Sequence, residues 1–175
     1  MRRKFLLFVP LLATAASQLI ATDVLLEYQV KAVCVLNALR FVSWPADAFP
    51  NPDSPLVIGI LGDNPFGSAL QEVVKGETRH QRRIVVRRVR LEEAATVNVL
   101  FISHSERDGL EAVFRTLGNS SVLTVSEIDR FTQSGGMLGL ALAHGKIRFE
   151  ANSEAARRVQ LKIDSQFLLL ARSVK

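Results

Sequence analysis

Short runs of almost uninterrupted apolar residues recur along the middle of this chain, at Leu56 to Leu61, Val97 to Ile102 and Val122 to Val125. Such runs, without a polar residue at every second position, are typical of strands that are covered on both faces. Helical patterns separate them, at Ser68 to Lys75 and at Ser105 to Leu117, where Ser105 is placed to cap the helix. Strands that alternate with helices predict a mostly parallel sheet with helices on both faces.

The last third of the chain predicts a different connection at the edge of this sheet. Two strands, Met137 to Ala141 and Lys146 to Glu150, are joined by a short turn at His144-Gly145. Strands connected by so short a turn pair antiparallel. We therefore expect an α/β protein: a three-layer sandwich with a mostly parallel sheet of about six strands, helices on both faces and an antiparallel edge hairpin, in a flavodoxin-like or receiver-like layout.

Further helices are predicted at the two ends of the domain. Apolar residues are dense from Asp23 to Phe41, which indicates a helix with a wide buried face that ends before Pro45. Near the carboxyl terminus, Asn152 or Ser153 is placed to cap a helix over 154–159.

The amino terminus has the composition of a secretory signal peptide. Basic residues at positions 2–4 precede an apolar run over 5–16, and Ala16 and Ala21 are the two candidate cleavage points. The apolar run is shorter than the about 20 residues that span a bilayer. We expect a leader over 1–21 that directs export and a single domain over 22–175.

The charge of the chain argues against a nucleic acid as partner. The formal net charge is +5, and three of these charges belong to Arg2, Arg3 and Lys4, so the chain without its leader carries +2. Nucleic-acid-binding domains normally present a clustered basic face. The one basic run, Arg79 to Arg90, alternates with Val and Ile at strand spacing and is interpreted as a solvated strand edge.

The single cysteine, Cys34, allows no disulfide within the chain. Because it lies among apolar residues, we expect a buried small hydrophobic side chain. The alternative is a disulfide between two chains of a dimer.

We find no pattern of catalytic or metal-binding residues in the sequence. The three histidines, His80, His104 and His144, have no second ligand at metal-binding spacing. Ser103 and His104 are adjacent, but no nucleophile elbow surrounds them. Asp63 stands alone where a phosphorylated receiver would need an acidic pair. We therefore expect a binding module that is not an enzyme and that uses no cofactor.

Two groups of residues are candidates for binding. Phe41, Trp44 and Phe49 lie just after the first helix, where they form either a small satellite core or a partner-binding patch, since aromatic residues dominate interface hot spots. Arg148, Glu150 and Asn152 lie where the last strand of the hairpin meets its helix. There they form either an ion pair with a helix cap or a polar pocket for a small zwitterionic or carboxylate ligand.

Five blocks of the sequence, in order, resemble the YfiR family of periplasmic repressors of membrane-bound diguanylate cyclases. The first block ends in the motif Phe-x-x-Trp-Pro, and the second is a strand followed by a Gly-Asp loop. The blocks cover residues 31–49, 58–67, 99–103, 121–152 and 161–172.

The resemblance implies a periplasmic regulatory protein that binds the extracytoplasmic domain of an inner-membrane diguanylate cyclase and represses it, which lowers cyclic-di-GMP. It also implies a homodimer and an outer-membrane lipoprotein that sequesters the repressor. This chain lacks the paired cysteines that some members use as redox switches. The alternative is a periplasmic small-ligand-binding sensor, with its site at Arg148, Glu150 and Asn152, that serves another membrane signalling receptor.

Overall fold

A computed structural model of the protein describes the backbone of residues 12–143 and 146–171, and the side chains of these ranges from residue 25 onward. The first part of the predicted leader and the predicted turn at His144-Gly145 lie outside the described residues. Within the described part, no helix is both long enough and apolar enough to cross a membrane.

The described chain contains nine strands and five α-helices. The strands are β1 (Val42–Ser43), β2 (Leu56–Leu61), β3 (Thr78–Arg79), β4 (Arg82–Val89), β5 (Val99–Ile102), β6 (Leu123–Ser126), β7 (Leu138–Ala143), β8 (Lys146–Ala151) and β9 (Lys162–Ile163). The helices are α1 (Leu12–Ala38), α2 (Ala69–Val74), α3 (Leu110–Leu117), α4 (Ser153–Arg158) and α5 (Ser165–Leu170), with 3₁₀ helices at Leu39–Phe41, Ala46–Ala48, Leu91–Thr96 and His104–Gly109.

Seven strands form one mixed sheet in the order β3-β4-β2-β5-β6-β7-β8. The five central strands, from β4 to β7, are parallel to one another. The edge pairs β3–β4 and β7–β8 are antiparallel. This confirms the predicted fold, including the antiparallel hairpin, and adds the short strand β3 at the opposite edge.

Both faces of β2, β5 and β6 are covered, which is why their sequences are almost continuously apolar. In β2, Ile58 and Ile60 belong to the core cluster shared with α1, α2, α4 and α5, whereas Leu61 belongs to the cluster shared with α3. In β5, Phe101 and Ile102 divide between the two clusters in the same way. Successive side chains along a strand therefore point alternately into two separate hydrophobic layers.

The first helix differs from its predicted form at both ends. Within the described residues it already includes Leu12, ahead of the predicted start at Asp23, and its α-helical part ends at Ala38 before a 3₁₀ turn reaches Phe41. The chain leaves the helix ahead of Pro45 because β1 pairs with β9 in a second, two-stranded sheet. The predicted wide buried face is only partly present, because Leu25 is 57% exposed while Val35 and Leu39 are fully buried.

In the segment after β5, Ser105 does not have its predicted role as a helix cap. The chain enters a 3₁₀ helix at His104 before α3 begins at Leu110, and Ser105 makes no cap for it. The Ser105 hydroxyl instead accepts a hydrogen bond of 3.0 Å from the backbone N–H of Asp63. It thereby joins the two loops that follow the adjacent strands β2 and β5.

Candidate functional site

A polar cavity of about 460 Å³ opens at the carboxyl ends of β5 and β6, where α1 passes over the sheet. Its walls come from α1, from the loops after β5 and β6, and from the hairpin β7–β8. Open α/β sheets commonly place ligand sites outside the carboxyl ends of their strands. The lining includes Glu27, Tyr28, Lys31, His104, Glu127, Asp129, Arg130, Leu140, Leu142 and Glu150.

A buried lysine lies at the base of this cavity. The Lys31 side chain is 5% exposed, and its ammonium group forms ion pairs with Glu27, at 2.5 Å, and with Glu127. The ammonium also lies 4.5 Å from the ring centroid of Tyr28. A buried charge is tolerated only where partners of opposite charge and hydrogen bonds compensate its lost hydration, and these contacts supply both.

The hydroxyl of Tyr28 completes the group. It donates a hydrogen bond of 2.8 Å to Oε1 of Glu127, whose other carboxylate oxygen binds Lys31. Burial raises the pKa of Tyr28 well above its ordinary value of 10.0, and the hydrogen bond to Glu127 and the charges of Glu127 and Glu27 raise it further. Tyr28 therefore stays protonated and remains a hydrogen-bond donor throughout the neutral range.

Sequence reasoning missed this group, although one signal for it was present. Lys31 lies on the predicted first helix, four residues before the buried Val35, which places it on the stripe that faces the core. A charged residue on a buried stripe requires a partner. That partner, Glu127, could not be identified because it lies 96 residues further along the chain.

The structure separates the three residues predicted to bind a small ligand. Glu150 lines the polar cavity and accepts a hydrogen bond of 3.2 Å from the hydroxyl of Thr132. Asn152 instead lines a second cavity, of about 360 Å³, between α3 and α4. Arg148 is exposed, and the described residues include no ion pair between it and Glu150.

Asn152 has a clear structural role. Its side-chain oxygen accepts a hydrogen bond from the backbone N–H of Ala155, at 2.9 Å, and so caps α4 as predicted. Its amide donates to the backbone carbonyl of Thr132, also at 2.9 Å. The cap prediction is confirmed, and a ligand-binding role for Asn152 remains a prediction.

The three aromatic residues predicted to bind a partner are half-buried and divide into two contacts. Phe41 packs against Phe167 of α5, with ring centroids 5.6 Å apart. Trp44 contacts Phe49, with centroids 6.5 Å apart. The guanidinium of Arg82 lies 3.9 Å from the Phe49 ring centroid, which gives this surface a cationic rim.

Trp44 is held in place by a buried asparagine. The indole N–H donates a hydrogen bond of 3.1 Å to the backbone carbonyl of Asn98. The side chain of Asn98 binds two further segments, accepting from Val57 N–H at 2.9 Å and donating to the carbonyl of Ala48 at 3.1 Å. Trp44 therefore presents its ring from a fixed position, while its polar atom is already satisfied.

The outer face of α1 is apolar and exposed. Leu26 is 58% and Val30 45% exposed, and both line a groove that continues onto the hairpin at Leu142 and Ile147. Cys34 also lines this groove and is only partly buried, in contrast to the predicted full burial. Partial burial raises the pKa of its thiol. Exposed apolar surface of this kind usually marks a site of association.

The family comparison identifies the chain. A family model described as YfiR/HmsC-like matches residues 28–172, which includes every strand of the sheet. The chain belongs to the YfiR/HmsC-like family. This family is regulatory, generally non-enzymatic and associated with repression of diguanylate cyclases.

A solved structure shares the YfiR/HmsC-like chain's fold. It is the crystal structure of a conserved domain protein from Vibrio cholerae O1 biovar El Tor strain N16961, with a TM-score of 0.52 and 14% sequence identity. The similarity covers 69% of this chain and 55% of the other, so this chain spans little more than half of that protein's length. No curated protein matches the chain.

Proposed function

We propose that this protein is a periplasmic regulator that binds the extracytoplasmic domain of an inner-membrane diguanylate cyclase and holds it inactive, which lowers cytoplasmic cyclic-di-GMP. The observation that carries the proposal is the YfiR/HmsC-like match over residues 28–172. Repression of this kind requires the regulator to bind the inactive conformation of the receptor more tightly than the active one. The basic and apolar leader over 1–21 supports export to the periplasm.

The surface around Trp44 is the proposed contact with the receptor. Trp44 and Phe49 are half-buried and fixed, so little side-chain entropy is lost when a partner covers them. The guanidinium of Arg82 stacks on Phe49 and adds a group that can pair with a receptor carboxylate. Phe41, the third aromatic residue of the proposed contact, packs against Phe167 of α5.

Two further partners follow from family precedent: a second copy of the chain and an outer-membrane lipoprotein. The exposed stripe Leu26, Val30 and Val33 on α1 has the alternating spacing of four and three residues that helices use when they pair. It is therefore the proposed surface for a homodimer.

Capture of the receptor from membrane extracts tests the contact at Trp44. Trp44→Ala should weaken capture of the diguanylate cyclase about tenfold or more, since a central hot-spot residue contributes about 2 kcal/mol. Phe114→Ala is the matched control, because Phe114 is a half-buried aromatic residue in the opposite hydrophobic layer. The melting temperature of both variants shows whether they fold.

If the folded variants Trp44→Ala and Phe114→Ala capture the cyclase equally well, Trp44 does not contribute to the contact. If the wild-type protein captures no membrane cyclase at all, the proposed function itself is wrong.

A second candidate function is a periplasmic sensor that binds a small molecule and signals to another membrane receptor. The polar cavity beside Glu150 favours it, because a site of about 460 Å³ at the carboxyl ends of the strands can hold a small ligand. A ligand that binds the purified protein would support this function, and it could operate together with repression.

A further inference from the structure

The strand β8 forms an outer edge of the seven-stranded sheet, and only its side toward β7 is paired among the described strands. The backbone N–H of Asn152 donates to the carbonyl of Met137 at 2.8 Å, which sets the alternation of hydrogen-bonded pairs along this antiparallel ladder. The N–H and C=O groups of Ile147 and Phe149 therefore point away from β7. An unpaired edge of this kind is a template for a further strand.

The accessible part of this edge is the stretch from Lys146 to Glu150. Its five residues are half-buried or exposed, whereas Ala151 is 1% exposed, so the last residue of β8 is closed to another strand. β8 contains no proline and pairs with β7 residue for residue, without a bulge. Two common devices that protect a natural edge from pairing are thus missing from β8.

The side chains of β8 make the strand complementary to itself. Lys146, Arg148 and Glu150 share one face, and Ile147 and Phe149 share the other. In an antiparallel pair of two β8 strands centred on Arg148, Lys146 of each strand lies opposite Glu150 of the other, and Ile147 lies opposite Phe149. Opposite charges and pairs of aromatic with β-branched residues are favourable across strands. The two Arg148 side chains meet at the centre, where each also has Glu150 of the other strand as a diagonal neighbour.

The charged groups of this edge are available to a second chain. Among the described residues, Lys146 and Arg148 form no ion pair. The Thr132 hydroxyl binds Oε2 of Glu150 at 3.2 Å, which leaves the other carboxylate oxygen for a lysine ammonium.

Exposed apolar side chains flank the free edge. α1 and β8 line one groove through Val30 and Ile147. α5 contacts β8 through Phe167 and Phe149, whose ring centroids lie 4.9 Å apart. In the described part of the chain, the large hydrophobic residues that are exposed lie on α1, α5 and the neighbouring β7, and they are Leu25, Leu26, Val30, Val33, Leu142, Leu169 and Leu170. Apolar surface beside a free strand edge indicates a protein interface.

The opposite edge of the sheet lacks this self-complementarity. β3 pairs with only two residues of β4, Arg82 and Arg83, so the rest of β4 has no described strand on that side. The charged residues of that stretch, Arg87 and Arg88, are both basic. Because two copies would repel each other there, β8 is the edge that suits a second copy of the chain.

We propose that two copies of this protein pair their β8 strands in antiparallel orientation, centred on Arg148, so that the two sheets form one continuous sheet. The proposal rests on the homodimer proposed above and supplies its arrangement. The groove of Leu26 and Val30 borders β8 at Ile147, so the second copy also covers part of the apolar stripe on α1.

Sedimentation equilibrium of the purified protein over a range of concentrations tests the arrangement. The wild-type protein should form a dimer. Glu150→Lys should raise the dimer dissociation constant about tenfold or more, because two attractive cross-strand pairs become repulsive. The double variant Lys146→Glu with Glu150→Lys exchanges the two charges and should restore the dimer, which a role of Glu150 within one chain would not explain.

Glu111→Lys is the matched control, since it makes the same charge change at an exposed residue of α3. Lys146→Glu provides a second variant in case Glu150→Lys fails to fold, as judged by the melting temperature, and it should weaken the dimer by a similar factor. The strand pairing is overturned if both folded single variants dimerise like Glu111→Lys, or if the folded double variant fails to restore the dimer. A wild-type protein that stays monomeric would overturn the homodimer as well, whereas capture of the cyclase tests the receptor contact separately.

Discussion

Single buried polar residues determine how the loops of this protein meet its sheet. Asn98 binds Val57 and Ala48 through its side chain and Trp44 through its carbonyl. Ser126, at the end of β6, donates to the carbonyl of Ile102 at 2.7 Å and accepts from Ile128 N–H at 3.1 Å. Because an unsatisfied buried polar group costs about 1–3 kcal/mol, each of these residues favours one loop conformation over others.

Tyr28 is the only tyrosine of the chain, so its ionisation can be followed without interference. Its pKa is raised in the folded protein by burial and by the neighbouring carboxylates, whereas the unfolded chain should show the ordinary value of 10.0. Absorbance at 295 nm should therefore show no tyrosinate near pH 10 while the protein is folded. In urea the same residue should ionise near that pH.

The raised pKa of Tyr28 also predicts how the stability of the protein changes at alkaline pH. Above pH 10 the unfolded chain releases the Tyr28 proton while the folded protein keeps it, so the free energy of unfolding falls as the pH rises. Tyr28→Phe should remove this part of the decline. An ordinary tyrosinate titration in a protein that is still folded, as judged by Trp44 fluorescence, would contradict the described hydrogen bond to Glu127.

At the scale of elements, the ion pair between Lys31 and Glu127 connects α1 to the loop after β6. Lys31→Met should lower the free energy of unfolding by about 3–5 kcal/mol, because it leaves Glu127 and Glu27 without their shared cation in a largely buried site. Urea unfolding measures the change. Arg115→Ala, which breaks an exposed pair with Glu111, is the control and should cost at most about 1 kcal/mol.

Restoring charge balance distinguishes a lost ion pair from lost packing. The double variant Lys31→Met with Glu127→Gln should recover much of the lost stability, since Gln can still accept the hydrogen bond from Tyr28. If the double variant is as unstable as the sum of the two single variants, the two residues do not act as a pair.

The elements that could be predicted from the sequence are those whose local pattern matches their environment. β2, β5 and β6 were evident as apolar runs because both faces are buried. The strands β1, β3 and β9 have two residues each and no pattern of their own. β1 and β9 form only because Val42 pairs with Ile163, more than a hundred residues away, and such pairing leaves no local trace.

At the scale of the whole molecule, the fold was more predictable than the site. The alternation of strands and helices specified a parallel sheet with an edge hairpin, and the structure confirms it. The cavity combines Tyr28 and Lys31 with Glu127 and Glu150, which come together only when α1 lies across the carboxyl ends of the strands. Of these residues, only Glu150 was a candidate from the sequence. The other three could not be identified, because tertiary packing alone brings them close to it.

Cellular cyclic-di-GMP in a strain that lacks this protein is the most direct test of the proposed repression. Deletion should raise the nucleotide, and expression of the full chain should lower it again. Expression without residues 1–21 should fail to do so, since the protein would remain on the wrong side of the inner membrane. An unchanged level of cyclic-di-GMP on deletion would contradict the proposed repression.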